Sequence, residues 1–219
     1  MLVVACKTDP ERGNRGVSLF VVTADMPGFS RGRNLRKNGM HGNDTAEPFF
    51  DNVRVPGENL LGEENQGFRY LMQELAQERL LVAVNCQARA EAAFEWTRQY
   101  VRERKAFGQA IAQFQNTRFK LAGLWAELQA GRAFLDRMLA QHVAGALDAP
   151  MASAGKLWHS EMPRRVVDEC VQLHGGYGYM EEYPVACAFV DARIERIYAG
   201  TSEIMKEIIA RSILDERKG

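Results

Sequence analysis

The chain has 219 residues, 46% of them hydrophobic, which is enough to bury the core of one large domain or two small ones. Its 28 basic residues balance 28 acidic ones, so no net charge attracts it to nucleic acid or to an anionic membrane. The scattered cysteines form no Cys-x-x-Cys pair, and no apolar run approaches the roughly 20 residues of a membrane span, which argues against a zinc site, a disulfide framework and a membrane-spanning helix.

The first residues, MLVVACK, carry neither a basic leader nor an apolar run long enough for a signal peptide. Together with the scattered cysteines, this start indicates a reducing compartment. We expect a cytoplasmic protein, or a protein of the mitochondrial matrix if the source is eukaryotic.

Residues 1–57 are predicted to form part of a β domain. The segments LVVAC, VSLFVV and FFDNVRV are rich in Val and Phe, and Gly, Pro, Asn and Asp separate them. A first strand that begins at residue 2, in a set of so few strands, makes a marginal sheet with open edges. We therefore expect an incomplete β domain whose exposed strand edge lies near Leu2 to Ala5.

Residues 58–219 are predicted to form an antiparallel four-helix bundle. Apolar residues at helical spacing mark the first helix, which extends to about residue 104: Phe68, Leu71, Met72, Leu75, Val82 and Cys86. The later helices are predicted over residues 114–146, 151–174 and 202–214. Pro163 lies inside the third, where its missing N–H group is expected to kink or split the helix. The predicted fold is mostly α, a four-helix bundle preceded by part of a β-barrel-like domain.

Glu78 lies in the segment ELAQERLLVAV of the first predicted helix. Steps of three, four and seven residues from Glu78 reach apolar positions, namely Leu71, Leu75, Leu81 and Val82. A carboxylate on or beside a buried stripe loses hydration in its charged form, which makes it a stronger base. The alternative is a structural Glu78 that pairs with an arginine elsewhere in the bundle, and periodicity alone leaves both hypotheses open.

The segment RQYVRERKAFG ends the first helix with several cations. One interpretation is helix capping, because positive charge at a helix C-terminus complements the helix dipole. The other is a site for a phosphate-bearing ligand, with Arg104 as a forked donor and Phe107 as a flat wall beside it. Both interpretations stay open at this point.

The segment QLHGGYGYMEEYP, from Gln172 to Pro184, ends the third helix on two glycines. Gly175 and Gly176 are typical of a helix stop followed by a packed turn. They equally allow a flat ligand to approach the backbone, although no GxGxxG motif or βαβ unit points to a dinucleotide fold. The four histidines stand singly, without carboxylates at metal spacing, so we predict no metal site.

The segment IYAGTSEI places Gly200 and Thr201 before the last helix, with Thr201 as its predicted N-cap. Backbone N–H groups at such a corner point outward and can meet an oxygen that carries or develops negative charge. Ala199, the residue before the corner, contributes no side-chain chemistry. The motif therefore predicts an oxygen-binding corner and leaves the role of Ala199 open.

Taken together, QERLLVA, RKAFG, QLHGGYGYMEEYP and IYAGTSEIMKEIIAR resemble the C-terminal half of the acyl-CoA dehydrogenases, most closely the long-chain type. DTAEPFF and VPGENLLGEENQGF precede them, so the resemblance covers nearly the whole chain. The family joins an N-terminal helical domain, a middle β domain and a C-terminal four-helix bundle, with FAD held between subunits of a tetramer. The resemblance implies that the N-terminal helical domain and the first part of the β domain are absent here. It also implies a homo-oligomer, either a dimer or a dimer of dimers.

The resemblance implies FAD-dependent α,β-dehydrogenation of an acyl-CoA thioester, of long or medium chain length, to a trans-2-enoyl-CoA. Many members carry the catalytic glutamate immediately before the Gly-Thr corner, where this chain has Ala199. The long-chain and isovaleryl types carry it on the first bundle helix, at the position of Glu78. Glu78 is thus the implied base, and the backbone N–H of Ala199 is the implied donor to the thioester oxygen.

Other residues carry over from the family's binding motifs. The implied FAD contacts are Arg104, Phe107, Gln172, Gly175, Gly176, Thr201 and Glu203. The implied substrate contacts, at the CoA or at the active-site entrance, are Arg79, Gly200 and Arg211. An electron-transfer flavoprotein is the implied electron acceptor. The alternative from another class is a catalytically idle fragment or helical subunit that assembles with a full-length flavoprotein partner.

Overall fold

The structure, a computed structural model, describes residues 1–214. The chain divides into two compact units, Met1–Leu75 and Ala76–Gly219, the second of which is described up to residue 214. The first long helix begins in the first unit and continues in the second. The domain boundary expected after residue 57 stays a prediction.

Five strands lie in the first unit: β1 (Leu2–Lys7), β2 (Val17–Val22), β3 (Phe29–Asn34), β4 (Ala46–Phe50) and β5 (Leu60–Leu61). They form an antiparallel sheet of order β1-β2-β5 and a second, two-stranded sheet of β3 and β4. Within residues 1–214 β1 pairs with β2 alone, so its outer edge is open and Val3 is 58% exposed. This arrangement confirms the exposed strand edge predicted near the start of the chain.

The segment FFDNVRV contains less strand than its composition predicted. β4 ends at Phe50, because the left-handed backbone conformation of Asn52 (φ 51°) turns the chain out of the extended direction. The last hydrogen bond beside the strand runs from the N–H of Asp51 to the carbonyl of Gly28, at 2.9 Å. β5 is an addition to the prediction, since its two residues lie in the Gly-rich segment GENLLGEENQGF that is typical of a loop.

Five α-helices lie in the described residues: α1 (Gly67–Glu103), α2 (Gln115–Val143), α3 (Ala149–His174), α4 (Pro184–Ala192) and α5 (Ser202–Leu214). A short hairpin of β6 (Lys105–Ala106) and β7 (Gln109–Ala110) separates α1 from α2. The mostly helical fold is confirmed. α4 is an addition to the four predicted helices, and it begins at Pro184, whose fixed φ suits the first position of a helix.

α3 runs without interruption through Pro163, so this proline does not split the helix, whereas the alternative, a kink at Pro163, stays a prediction. Pro163 is buried, and the packing of α3 in the bundle compensates the lost backbone hydrogen bond. The helix begins two residues earlier than predicted, because the carboxylate of Asp148 accepts a hydrogen bond from the N–H of Met151 at 2.8 Å.

The core of the second unit is built from small and medium apolar side chains of α1, α2, α3 and α4. Its main cluster consists of Ala90, Ala93, Leu124, Leu128, Met162, Val166, Val167, Cys170, Val185 and Ala188. Gly155 brings α3 close to α2, because an added Cβ at this position would lie 2.0 Å from Sδ of Met138. Close packing therefore holds the helices that carry the candidate site residues.

Among residues 1–214, no helix is both long enough and apolar enough to cross a membrane. In the same part of the chain, no three His, Cys, Asp or Glu side chains lie together as metal ligands do.

Candidate functional site

The Gly-Thr corner before α5 is taken from here on as residues Ala199, Gly200 and Thr201. The first two of these residues adopt the left-handed backbone conformation. Ala199 has a φ of 53° and Gly200 a φ of 99°. Gly200 adopts this conformation freely, and an added Cβ there would lie 2.7 Å from Cε of Met205. For Ala199 the conformation is unusual, because its Cβ crowds the neighbouring carbonyl. The surrounding structure must therefore hold the corner in place.

Thr201 caps α5, as predicted, because its hydroxyl oxygen accepts a hydrogen bond from the N–H of Ile204 at 3.4 Å. The pKa of Glu203 is lowered, because its carboxylate accepts hydrogen bonds from its own backbone N–H and from the hydroxyl of Thr201. Such contacts stabilise the start of a helix. Thr201 and Glu203, which the resemblance assigns to the cofactor, thus also stabilise the start of α5.

Buried charged side chains lie beneath the corner. Lys156 of α3 is fully buried, and its Nζ donates to the carbonyl of Gly200 at 2.7 Å. Glu195, in the 3₁₀ turn before the corner, is also fully buried and accepts a hydrogen bond from Nε of Arg89 at 2.9 Å. Burial raises the pKa of Glu195, and the Arg89 guanidinium opposes this effect. These contacts connect the corner to α1 and α3.

The carboxylate of Glu161, on α3, accepts hydrogen bonds from residues on both sides of the corner. Its Oε1 accepts hydrogen bonds from Nε of Arg196 at 2.7 Å and from Oγ of Ser202 at 3.2 Å. Arg196 precedes the corner in sequence and Ser202 follows it. A single carboxylate therefore fixes the chain on both sides of Ala199 and Gly200.

Lys156, Glu161 and Glu195 were not singled out from the sequence. For Lys156 a signal exists, because it lies four residues from Ala152 and Ser160 and interrupts the buried stripe of α3. A charge within such a stripe requires a partner. For Glu195, in a short 3₁₀ turn, helical periodicity provides no comparable signal.

Glu78 lies on α1 with an exposed side chain. The expectation that neighbouring side chains shield it from water is therefore wrong for this chain by itself. The buried face of α1 near Glu78 consists of Leu80, Val82 and Ala83, whereas Leu81 is 54% exposed. The alternative prediction, that Glu78 pairs with an arginine elsewhere in the bundle, is not confirmed either. No arginine among residues 1–214 forms an ion pair with Glu78.

Arg79 follows Glu78 and is buried, with 5% of its surface exposed. Its Nη1 donates to Oγ of Ser153 at 3.2 Å, and within the described residues its Nε has no hydrogen-bond partner. Burial lowers the pKa of Arg79, and the charge of Glu78 opposes this effect. Burial also lowers the pKa of Lys156, and the positive charge of Arg79 adds to this lowering.

A cleft with a volume of about 590 Å³ lies between the C-terminal ends of α1 and α3. It brings together four of the residues assigned to FAD by resemblance: Arg104, Gln172, Gly175 and Gly176. The guanidinium of Arg104 lies 5.5 Å from the ring centroid of Tyr177, which also lines the cleft. Among residues 1–214 no carboxylate forms an ion pair with Arg104, so its charge is available to an anionic ligand.

The two glycines of the cleft differ in what they require. Gly175 ends α3 with a left-handed φ of 61°, which favours glycine. At Gly176 φ is not left-handed, and an added Cβ would meet no atom within 4 Å. Neither backbone conformation nor packing within the chain requires a glycine at position 176. An exposed glycine of this kind fits a ligand or a second chain that approaches the backbone closely.

Besides Glu78 and Arg79, two further residues assigned by resemblance lie outside the corner and the lining of the cleft. Phe107 is 97% exposed in the two-residue turn between β6 and β7, where it and Gly108 have φ angles of 52° and 82°. Arg211, on the exposed side of α5, pairs with Glu207 at 2.6 Å. Their roles toward the cofactor and the substrate stay predictions.

Comparison with known proteins agrees with the resemblance read from the sequence. Residues 65–214 match the family model described as acyl-CoA dehydrogenase, C-terminal domain. The chain is 51% identical over 218 residues to the mitochondrial long-chain specific acyl-CoA dehydrogenase of Mus musculus, a match that covers 99% of this chain and 51% of that protein.

Solved structures give the same result. The crystal structure of acyl-CoA dehydrogenase from Geobacillus kaustophilus matches with a TM-score of 0.94 at 52% identity, over 97% of this chain and 56% of that one. A chain from a structure described as the electron transferring flavoprotein of Acidaminococcus fermentans matches with a TM-score of 0.93 at 34% identity, over 98% of this chain and 56% of that one. The chain spans about half the length of the curated relatives it matches. It belongs to the acyl-CoA dehydrogenase family, whose C-terminal domain is formed here by residues 65–214.

Proposed function

We propose that this chain contributes the C-terminal part of an active site that dehydrogenates the α,β bond of an acyl-CoA thioester to give a trans-2-enoyl-CoA. One observation carries the proposal. The Gly-Thr corner holds Ala199 in a left-handed conformation, where the backbone is the only functional group that this residue offers. The base must therefore come from another element, and the resemblance to the long-chain type assigns this role to the exposed carboxylate of Glu78.

The chemistry is divided between a side chain and the backbone. The carboxylate of Glu78 takes the α-proton of the thioester. FAD, held by the residues of the cleft, would supply the acceptor for the hydride of the β-carbon. The backbone N–H of Ala199 donates to the thioester oxygen, on which negative charge develops as the α-proton departs.

The exposed apolar surface beside Glu78 suits an acyl substrate. Leu81, three residues along α1, is 54% exposed. An acyl chain that covers this surface also excludes water from the carboxylate of Glu78, next to which the α-proton is removed. The identity of 51% to a long-chain specific enzyme supports a long-chain substrate, with medium-chain substrates as the alternative.

The residues of the cleft fit FAD. Arg104 offers a cation without a carboxylate partner among the described residues, and Gly175 and Gly176 expose their backbone beside it. We assign the following residues to FAD: Arg104, Phe107, Gln172, Gly175, Gly176, Thr201 and Glu203. Most of them are exposed in the single chain, which supports a cofactor site completed by a second copy in a dimer or a dimer of dimers.

An electron-transfer flavoprotein is the proposed electron acceptor. The similarity to a chain from a structure described as an electron transferring flavoprotein supports this assignment. The mouse relative is described as mitochondrial, which supports the mitochondrial matrix for a eukaryotic source. The cytoplasm is the alternative for a bacterial source.

The proposal is tested by reconstituting the purified chain with FAD and mixing it anaerobically with a long-chain acyl-CoA. We expect a yellow protein whose flavin absorbance bleaches as enoyl-CoA appears. A colourless protein that acquires FAD only together with a full-length flavoprotein would support the idle helical subunit instead.

A pair of variants tests the cleft. Arg104→Met should weaken FAD binding at least tenfold, because a charge-assisted contact contributes roughly 1.5 kcal/mol or more. Arg102→Met is the matched control, since Arg102 is an exposed cation in the last turn of the same helix but does not line the cleft. Equal affinities in the two variants would favour the helix-capping interpretation of this basic segment.

A further inference from the structure

Lys156 is the fully buried cation beneath the Gly-Thr corner. Its Nζ donates to the carbonyl of Gly200 at 2.7 Å, and among residues 1–214 no second acceptor is hydrogen-bonded to it. Burying an ammonium group is costly unless it is paired. A buried lysine that directs its hydrogen bond to one backbone carbonyl therefore has a specific place in the corner.

The charges around Lys156 account for its burial. Glu195 and Glu161 are the carboxylates that act on it electrostatically, and the thiol of Cys86 acts in the same direction. Arg79 is the opposing cation, while burial has the largest effect and lowers the pKa of Lys156. Lys156 donates its hydrogen bond to the carbonyl of Gly200 and not to one of these carboxylates.

The hydrogen bond determines how the corner is oriented. The peptide bonds of the described chain are trans, so the N–H of Thr201 points away from the carbonyl of Gly200 in the same peptide group. When Lys156 holds that carbonyl toward the interior, the N–H of Thr201 faces the opposite way. The backbone between this carbonyl and the N–H of Ala199 passes only through Ala199 and Gly200, whose left-handed φ angles restrict it, so the direction of the carbonyl limits the direction of the N–H.

We propose that Lys156 is a positioning residue, whose ammonium group holds the carbonyl of Gly200 and thereby orients the backbone N–H of Ala199 toward the substrate. Its effect on the reaction rests on the proposed function, whereas its effect on the corner does not. Glu161 supports the same geometry from the flanks through Arg196 and Ser202.

The hydrogen bond is tested first in the unsubstituted chain. Gly200–Thr201 is the only Gly-Thr pair in the sequence, so a chain labelled with ¹³C at glycine carbonyls and ¹⁵N at threonine gives a single correlated carbonyl signal in NMR. We expect this signal downfield of the other glycine carbonyls, because a hydrogen bond from a cation deshields the carbonyl carbon. An ordinary glycine carbonyl shift overturns the proposal, whether or not any variant folds.

The second measurement uses Lys156→Met, which keeps an unbranched side chain one atom shorter and removes the charge. We expect amide hydrogen exchange to accelerate about tenfold or more at Ile197, Tyr198 and Met205, whose N–H groups are bonded within the corner region. Exchange in the middle of α3 should stay unchanged, which separates this effect from a general loss of structure. Unchanged exchange at the corner contradicts the proposal.

Lys120→Met is the matched control. Lys120 forms an ion pair with Glu169 between α2 and α3 but is partly exposed and lies outside the corner. We expect this variant to leave both the carbonyl signal and the exchange of the corner amides unchanged. Equal acceleration in the two variants would assign the effect to the loss of any interhelical lysine and would overturn the specific role of Lys156.

The catalytic consequence is measured by anaerobic flavin bleaching. We expect Lys156→Met to lower the limiting rate about tenfold to a hundredfold, because a displaced donor stabilises the developing charge less well. The acyl-CoA concentration for half-maximal rate should change little. A normal limiting rate in this variant contradicts the proposal. If the unsubstituted chain shows no bleaching, the proposed function fails, and the carbonyl signal and the exchange rates still decide whether Lys156 positions the corner.

Discussion

The Gly-Thr corner and the cleft at the ends of α1 and α3 are built in opposite ways. At the corner, the buried side chains of Lys156 and Glu195 and the carboxylate of Glu161 hold the backbone. In the cleft, Arg104 and Gly176 are exposed. Within residues 1–214 Arg104 contacts the ring of Tyr177 but no carboxylate, and an added Cβ at Gly176 would meet no atom within 4 Å. The difference indicates that contacts within the chain hold the corner, whereas the exposed residues of the cleft leave room for the ligand or second subunit proposed above.

This division has a chemical reason. An oxygen that develops negative charge is stabilised best by donors that need not move during the reaction, so the corner benefits from rigid support. The cleft is assigned only to binding, for which exposed cations and accessible backbone are sufficient. Variants that disturb each region should therefore differ in whether they change stability or affinity.

The largest effect on stability is expected for Arg89→Met. The substitution leaves the carboxylate of Glu195 buried without its hydrogen-bonded cation, and the loss of one partner from a buried pair typically costs about 3 kcal/mol or more. We expect the free energy of unfolding, measured by urea denaturation, to fall by about this amount. Arg98→Met is the control, because its partner Glu95 lies on the surface, and its unfolding midpoint should not change measurably. Equal midpoints for both variants would contradict the view that buried charges support the corner.

A pair of glycine substitutions sharpens the comparison. Gly200→Ala places a Cβ 2.7 Å from Cε of Met205 at a left-handed φ, and we expect a loss of about 2 kcal/mol in the free energy of unfolding. In Gly176→Ala the added Cβ would meet no atom within 4 Å, so we expect the free energy of unfolding to stay nearly unchanged. The same Cβ lies where the proposed FAD site needs the exposed backbone, so we expect weaker FAD binding. Urea denaturation and FAD titration of both variants check this result. A stable Gly200→Ala variant, or a Gly176→Ala variant with normal FAD affinity, would remove the contrast between the two regions.

The smallest expected effect is a pH dependence at the wall of the cleft. Burial lowers the pKa of His174 below its usual value of 6.5, although its Nδ1 lies 2.8 Å from the carbonyl of Cys170. A group whose pKa is lowered in the folded state contributes stability above its unfolded pKa, and this contribution is lost as the pH falls through the folded pKa. Between about pH 7.5 and pH 5, the free energy of unfolding should fall less in His174→Gln than in the unsubstituted chain. Identical pH profiles would show that His174 titrates alike in both states.

The long helices were predictable because their apolar periodicity extends over many turns. α1, α2, α3 and α5 lie close to their predicted ranges, whereas α4 has nine residues and starts in a segment that is typical of a turn. β4 ended early because of the left-handed Asn52, and periodicity contains no information on such a local conformation. The strength of the periodic signal therefore decided which elements were found.

The site was predicted only in part for a related reason. Periodicity placed Glu78 near the buried face of α1, but it did not show that its side chain is exposed, because burial depends on which surface other elements cover. The left-handed conformation of Ala199 could not be predicted, since a residue with a Cβ seldom adopts it. The buried Lys156 was not predicted either, although its spacing from Ala152 and Ser160 on α3 contained a signal.

The most direct test of the proposed function compares Glu78→Gln with Glu74→Gln in the chain reconstituted with FAD. Glu74 is an exposed carboxylate one turn earlier on α1, so its variant controls for the loss of a charge on this helix. Anaerobic bleaching of the flavin by a long-chain acyl-CoA should slow about 10² to 10⁴-fold in Glu78→Gln and stay near normal in Glu74→Gln. Addition of Ala199→Glu to Glu78→Gln should recover part of the rate, because the corner then carries a carboxylate. Near-normal bleaching in Glu78→Gln would contradict the assignment of Glu78 as the base.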